Sequence, residues 1–542
     1  MADRSTGERG TRTGTRQKTH KETQRETQRK TSGCGGEKKA RTFSGNAGRG
    51  AAPRPAHGGK PEGRRFNSAA GSSAVRPSGP SRPVRPQGAV PKRNADGAPT
   101  PGRTAALSVL CDIRENGAFI SAALDKYFSE HNLPQIEKRF CTNLTYSCEE
   151  NRLKTAYVLD RFLQDREALS VRLQLILEMS VSQKLYMDKV PDSAIVDEAV
   201  KLTRFSGAEG MTGLVNAVLR KAFTSLDGDF AWPDREKDPA GYLSVMYSVP
   251  RWLCEKLSEE YGADAEKICA YRGQHYITVR PNKIKYPTSE AFRLKVLDKK
   301  VWDCEKAPFL DAFYVRGASD ISRDSDYASG GFSIEGVSSM LAADALGCRG
   351  GMQVLDACAA PGGKTAYIAE TMKGTGRVFA WDVYEHRVEL IRAMTRRLGL
   401  DNVRPVVRDA SVFREDMAQT MDAVLLDAPC TGLGVMDNKP DIKYRVTEEQ
   451  VRVLTALQQK MLECCSGYVR RGGTLVYSTC SLLKEENEEQ VRFFLEKHPE
   501  FRIVPLPDSF GPLRDRAGEC GLQILPWRDG IDGFFIAAMK RE

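Results

Sequence analysis

The sequence predicts a multidomain protein that ends in an α/β domain with a mostly parallel, doubly wound sheet, preceded by an all-α domain and a small α+β module. Three observations carry that prediction. From Gly351 onward, short β-rich runs alternate with helical stretches. Between residues 103 and 225, apolar residues recur at helical spacing. The 542 residues also exceed what one hydrophobic core organises, so about two to four domains are expected.

Residues 1–101 come first and read as a disordered basic tail. They are rich in Arg, Lys, Gly, Pro, Ser and Thr, and apolar side chains are too sparse to offset the entropy of ordering them. The first 100 residues hold 22 Lys and Arg against 7 Asp and Glu, while the rest hold 59 against 64, so the net charge of +10 belongs to the tail. Such a tail is either an arm that tracks phosphates or a solvated extension without a specific role. No run of about 18 apolar residues is present, and the first thirty residues lack a secretory apolar core, so no membrane span and a cytoplasmic location are expected. The fourteen cysteines contain no C-x-x-C pair. Neither a metal site nor a dense disulfide framework is therefore expected, and twelve of the thiols read as small packing groups in a reduced protein.

Residues 103–225 read as a helical bundle. Ala106, Leu107, Leu110 and Ile113 share one helical face, as do Ile120, Leu124 and Phe128, and Pro191 before Asp192 and Ser193 marks a helix start. TGLVNAVLRKAF closes the set, and Asp227, Gly228 and Pro233 break the pattern. Residues 235–345 read as a small α+β module, with a helix in PRWLCEKLSEEYG and a strand in HYITVRPNKIK. Residues 346–542 carry the α/β pattern, with strands in QVLDAC, RVFAWDV, VRPVVRD, DAVLLDAP, GGTLVYSTC and GFFIAAMK. Between them lie helices such as YEHRVELIRAMTRRLG and one that places Val451, Leu454, Leu457, Met461 and Cys465 on a single face.

In a doubly wound sheet, ligands bind beyond the carboxyl ends of the strands. The first strand runs into LDACAAPGGKT, a Gly-rich turn that opens a helix. It is neither G-x-G-x-x-G nor a phosphate-binding Walker loop. The next strands end at Asp382, placed for ribose hydroxyls, at Asp409, placed for an adenine amino group, and at Asp427. A Gly loop with three acids at successive strand ends suits an adenosine-type cofactor, and the missing phosphate loop favours S-adenosylmethionine over a dinucleotide. Each acid alone could equally be a helix cap. Cys430, after DAP, and Cys480, in YSTCS, lie at the ends of the fourth and fifth strands, where a sheet of this kind brings them to one rim. Thiolate addition to carbon 6 of a cytosine would activate carbon 5 toward a methyl donor, and Asp427 could hydrogen-bond the cytosine edge.

These motifs are recognisable. CAAPGGKT, DAPCTGLG with the following NKPDIKY, STCSLLKEENEEQV and DGFF closely resemble the signatures of the RsmB/NOL1/NOP2/Sun family of RNA cytosine-5 methyltransferases. VPDSAIVDEAV and GLVNAVLRKAF resemble the NusB-like RNA-binding domain found in the family's bacterial RsmB branch. The resemblance covers about residues 103–542. It implies a Rossmann-like class I methyltransferase domain preceded by a NusB-like domain, with S-adenosylmethionine as cofactor. It further implies Cys480 as nucleophile, Cys430 as the thiol that assists breakdown of the covalent intermediate, and Asp427 at the reacting base. Cofactor contacts fall on Cys358, Ala359, Ala360, Pro361, Gly362, Gly363, Lys364, Asp382, Asp409 and Asp427. The implied substrate is a cytosine of small-subunit ribosomal RNA, met free or in an early assembly intermediate by a monomer. The alternatives are another RNA, such as transfer RNA, or a non-catalytic NusB-like assembly factor. Two features depart from the family pattern: the basic tail, and FSIEGVSS at 332–339, which lacks the usual Gln.

Overall fold

The computed structural model of the chain describes residues 97–273, 276–318 and 321–542. The expected tail therefore lies, over residues 1–96, outside the described residues.

Seven helices open the described chain: α1 (Pro101–Asn116), α2 (Ile120–Glu130), α3 (Gln135–Glu150), α4 (Arg152–Asp160), α5 (Val171–Tyr186), α6 (Asp192–Phe205) and α7 (Thr212–Leu226). α5 is apolar nearly all round, with Leu175, Ile176, Leu177, Met179 and Val181 buried, and such a helix must sit at the centre of a bundle. Arg114 of α1 lies between the buried Glu149 of α3 and Glu178 of α5, at 2.8 and 2.9 Å, and fixes how those three helices meet.

Residues 235–345, read from sequence as one module, divide between two cores. Helices α8 (Pro239–Tyr247), α9 (Arg251–Tyr261) and α10 (Asp264–Ala270) bury Leu253, Leu257 and Ile268 against Leu433, Leu482, Leu483 and Leu525, all far downstream. Strands β1 (Ile277–Pro281), β2 (Asp303–Lys306), β3 (Phe313–Arg316) and β4 (Phe332–Ile334) form a separate antiparallel sheet in the order β2-β3-β1-β4. Helix α11 (Ser289–Lys295) packs its Phe292 on that sheet's Val279, Phe313 and Phe332, while the short α12 (Ser325–Ala328) leads into β4.

The rest is the α/β domain. After α13 (Val337–Asp344) come β5 (Gln353–Asp356), α14 (Gly363–Thr371), β6 (Arg377–Asp382), α15 (Glu385–Leu398), β7 (Val403–Val407), β8 (Met421–Asp427), α16 (Glu448–Ser466), β9 (Val469–Thr479), α17 (Glu488–Lys497), β10 (Phe501–Ile503), β11 (Leu522–Ile524), α18 (Pro526–Asp529) and β12 (Phe534–Arg541). The sheet order is β10-β12-β9-β8-β5-β6-β7, with β11 paired to β12. β7, β6, β5, β8 and β9 run parallel, whereas β10, β11 and β12 are joined antiparallel. Successive residues of a strand face opposite sides. Thus Val354, Ala423 and Leu425 meet α13 and α14, while Leu355, Val424 and Leu426 belong to the core shared with α16 and α17. The order reverses between β5 and β8, and the loops leaving those two strands face a common crevice.

Candidate active site

β5 ends at Asp356, which is fully buried and accepts a hydrogen bond from Thr365 Oγ1 at 2.6 Å. Burial pushes its carboxyl up to about 7. The loop that follows is tied down where Ala359 N donates to Trp381 O. Gly362 has φ +111°, a backbone region L side chains avoid, and its α-carbon faces Ile391 of α15. A side chain there would strain the turn. α14 begins at the next residue, so its unpaired amides open toward the crevice. Cys358 packs into the core beneath the loop, and burial lifts its thiol well above the ordinary range, leaving its backbone to border the crevice.

Asp382 ends β6 as the sequence indicates, accepting from Tyr384 N and pairing with Arg387 at 3.2 Å. Asp409 is displaced from its expected place: β7 stops at Val407, and Asp409 lies two residues beyond it in the loop, exposed. The strand stops there because Arg408 N still bonds Asp382 O of β6, after which Asp409 turns the chain by accepting from Ser411 N. Asp427 ends β8 with both oxygens engaged, one by Lys364 Nζ at 2.7 Å and one by Ser478 Oγ at 2.8 Å. Although burial opposes it, that ion pair holds Lys364 protonated. The same ammonium lies 5.2 Å from the centre of the Phe534 ring.

Cys430 and Cys480, fifty residues apart, come together with their sulfurs at 3.3 Å. Both are half-buried. Cys480 is held below the ordinary thiol value, first by the Cys430 thiol that donates to it, against burial, and further by Lys364 and Lys439. Cys430 is raised, by its bond to Cys480, by burial and by the nearby Glu486 and Asp427 carboxylates. The contact thus biases Cys480 toward the thiolate form and Cys430 toward the thiol.

What holds the pair is a carboxylate the sequence did not single out. Glu486 is fully buried and accepts from Thr431 N at 2.9 Å, Thr431 Oγ1 at 2.6 Å, Gln458 Nε2 at 3.0 Å and Ser481 Oγ. Thr431 and Ser481 are the residues after the two cysteines. The run KEENEEQ reads as a solvated helix start, and nothing in its spacing separates Glu486 from its neighbours. A second buried network was also invisible in sequence. Arg280 of β1 bonds Glu335 at 2.8 Å and Glu370 of α14 at 2.5 Å, and locks the small sheet onto the helix that follows the Gly loop. Glu335 lies within FSIEGVSS, the segment that departs from the family pattern, and Arg280 balances its charge.

The donors around the crevice fit S-adenosylmethionine: a turn closed to side chains at Gly362, carboxylates at Asp382 and Asp409 for hydroxyl and amino groups, and a helix N-terminus. Among the described residues, no group of acidic, His or Cys side chains is arranged to hold a metal ion. Likewise no described helix is long and apolar enough to cross a membrane.

Comparison with known proteins agrees with this geometry. The family model for 16S rRNA methyltransferase RsmB/F matches residues 343–540, and that of the NusB family matches residues 100–223. A probable ribosomal RNA small subunit methyltransferase B of Bacillus subtilis is 34% identical over 455 residues, spanning 81% of this chain and 98% of the relative. The Thermus thermophilus ribosomal RNA small subunit methyltransferase B is 30% identical, over 81% of this chain and 97% of its own. The crystal structure of PH0851 superposes with a TM-score of 0.68 at 26% identity, covering 82% of this chain and 99% of that one. The chain belongs to the RsmB/F family of 16S rRNA methyltransferases.

Proposed function

We propose that the protein transfers a methyl group from S-adenosylmethionine to carbon 5 of a cytosine in small-subunit ribosomal RNA, with Cys480 as nucleophile. The observation that carries this reading is the pair of sulfurs 3.3 Å apart, beside the Lys364–Asp427 ion pair. The names of the relatives supply the substrate class.

S-adenosylmethionine, held by the loop 358–364 with Asp382 and Asp409, supplies the methyl group as an electrophile on a sulfonium. The chain's own residues do the rest. The Cys480 thiolate forms a bond to carbon 6, the electron pair of the carbon 5–carbon 6 double bond moves to carbon 5, and that pair would take the methyl group from the sulfonium, whose bonding pair stays on its sulfur. Asp427 and Lys364 line this position, the carboxylate as acceptor for the exocyclic amine, the ammonium as donor to the base. Once carbon 5 carries the methyl group, its proton leaves to a base, the carbon 6–sulfur bond breaks, and the electron pair returns to Cys480. Cys430 stands where a proton donor and acceptor is needed for that release.

The protein is read as a cytoplasmic monomer that meets its RNA free or in an early particle. Its thirteen described cysteines are all free thiols, which suits a reducing compartment.

Bisulfite mapping of ribosomal RNA from cells with and without the gene tests the activity. One cytosine should lose its methyl group in the deletion. Cys480→Ala should abolish transfer, and Cys430→Ala should accumulate a protein–RNA adduct. Full activity of Cys480→Ala would reverse the assignment.

A further inference from the structure

Beside the reaction site lies a second cavity that no step of the reaction uses. It has a volume of about 240 Å³ and opens between the end of α10, the small sheet and the loops that follow β8 and α18. That is below the roughly 300–1,000 Å³ of pockets that enclose a drug-sized ligand, and it suits a single planar ring system. Its walls combine Tyr271, Tyr276, Tyr314 and Thr278 with the carboxyls of Asp437 and Asp532. Tyr276 and Tyr314 stack with ring centres 3.8 Å apart.

The hydroxyl of Tyr314, a side chain only 8% exposed, faces the Tyr276 hydroxyl, which itself donates to Gly530 O at 3.1 Å. Oδ1 of Asp437, on the same wall, has no hydrogen-bond partner among the described residues. Buried polar groups are rarely left so without a ligand or water to meet them. Asp532 is oriented by Asn438 Nδ2 at 2.9 Å. Burial, and then the neighbouring Asp532, push Asp437 up to about 6, as befits two carboxyls crowded into one small space.

The cavity hangs on the same backbone ladder as the nucleophile. Asp532 precedes Gly533, whose N–H bonds Gly434 O, and Gly434 N in turn bonds Cys480 O at 2.8 Å. Glu335, also on the wall, touches the loop glycine Gly363. An occupant of this cavity is thus within a residue or two of the groups that hold the target. Among the described residues the lining contains no Lys or Arg, and its carboxyls repel a phosphate. It offers instead carboxylate acceptors, hydroxyls that donate or accept, and aromatic rings, which are the partners of a base edge and a base face. The exposed Lys439 acts electrostatically on both Cys480 and Asp532, so a cation that could meet a phosphate of the RNA strand lies near both.

We propose that this cavity receives the base of a nucleotide flanking the target cytosine, and that it prefers a base with an N–H edge presented to Asp437 and Asp532 and an acceptor presented to Tyr314. The proposal rests on the RNA methyltransferase reading above and adds a second base-recognition site to it.

The test uses the full chain, labelled S-adenosylmethionine and unmethylated small-subunit RNA fragments in which each nucleotide flanking the target is made abasic in turn. In the wild type, one abasic position should raise KM for RNA about tenfold, with kcat changed less than twofold. Tyr314→Phe and Asp437→Asn should each raise KM for intact RNA about fivefold, and in both the penalty of that abasic position should shrink or vanish. S-adenosylmethionine affinity should not change. Tyr314→Phe removes one oxygen from a buried ring, and thermal unfolding checks that both variants fold; if Asp437→Asn does not, Tyr314→Phe alone decides. No sensitive flanking position, or an abasic penalty that persists undiminished in the variants, overturns the pocket while leaving the methyltransferase reading intact. A wild-type protein that binds S-adenosylmethionine but methylates none of the RNAs overturns both.

Discussion

Replacing Glu486 should disable the reaction without touching substrate or cofactor. Its carboxylate accepts four hydrogen bonds in a fully buried site, two from Thr431 and one each from Ser481 and Gln458. Gln458 also donates to Pro429 O, so the segment before Cys430 is held from the same point. Glu486→Gln keeps the shape and one acceptor oxygen, and the two hydroxyls, 3.0 Å apart, can turn to accept from the new amide. The loss is then mainly charge assistance, about 1–2 kcal/mol of stability. Glu486→Ala strands the Thr431 amide and the Gln458 amide in a dry core and should cost about 3–5 kcal/mol. The effect on activity is larger than the effect on stability in the Gln variant, because the residues it releases are those that follow the two sulfurs. A sulfur gap loosened by about 1 Å is expected to slow methyl transfer about a hundredfold. Loss of the nearby negative charge should also lower the Cys430 thiol, so the pH dependence of adduct breakdown should shift to lower pH. Single-turnover methyl transfer, denatured-gel detection of the adduct across pH, and urea unfolding measure the three quantities. A Glu486→Gln protein with wild-type rate and an unshifted pH profile would refute the claim that this carboxylate positions the pair, even if the protein were less stable.

Three further outcomes follow from the charged groups. Arg280→Met should destabilise the protein by about 3–5 kcal/mol in urea unfolding, because Glu335 and Glu370 are left charged in the core. Adding Glu335→Gln and Glu370→Gln should recover most of that loss, and no recovery would mean the network is not held by charge. The rate at which Cys480 is alkylated, read by peptide mass spectrometry, should rise with pH to a midpoint below the ordinary thiol value of 9.0. Cys430→Ala, which removes the donating thiol, should move that midpoint upward, and an unmoved midpoint would place the donor elsewhere. Asp356, ordinarily 3.8, titrates in the folded protein at about 7. The fold thus binds this proton more tightly than the unfolded chain does, and the resulting stabilisation is complete below about pH 4 and lost as pH rises through 7. Asp356→Asn should therefore gain on the wild type between those values, by on the order of 3 kcal/mol in unfolding free energy, and a constant difference at pH 5 and pH 8 would contradict it.

The parts of this molecule that repeat a local rule were readable before any coordinates. Six of the eight strands of the α/β domain announced themselves because each is a short β-rich run between turn signals, and the bundle helices because their apolar residues recur at helical spacing. The sites at strand ends followed from the fold rule alone, which is why Asp382, Asp427, Cys430 and Cys480 fall where they were expected. Asp409 slipped by two residues because a strand end is decided by the last inter-strand hydrogen bond, which no single segment encodes. The short strands β10 and β11, three residues each, are too brief to leave a pattern. α8–α10 were assigned to the wrong neighbours because their apolar partners Leu433, Leu482 and Leu483 lie far downstream. Glu486, Gln458 and Arg280 were missed for a related reason: a charged or amide side chain reads as solvent-facing until its partners, scattered along the chain, are brought to it.

The segment after Cys430 shows why the helical bundle and the catalytic domain belong in one chain. It leaves the site and crosses to the bundle, where Arg445 donates to the carbonyls of Gly117 and Ala118 between α1 and α2, and Lys443 Nζ donates to Glu150 O at 3.0 Å. Tyr444 bonds Ser248, whose hydroxyl also accepts from Leu153 N at the start of α4. Burial depresses Lys443 to about 7, so a nearly fully covered amine that titrates near neutrality lies at this seam. The loop that carries Cys430 is therefore fixed at one end by Glu486 and at the other by three side chains set into the bundle. A shift of the bundle would be felt by the loop through these contacts, and by the sulfur pair through Thr431. Disconnecting the seam with Arg445→Ala should then lower kcat for RNA while leaving adduct chemistry on a short oligonucleotide, which cannot reach the bundle, unchanged. Equal losses on both substrates would show that the seam only holds the domains together.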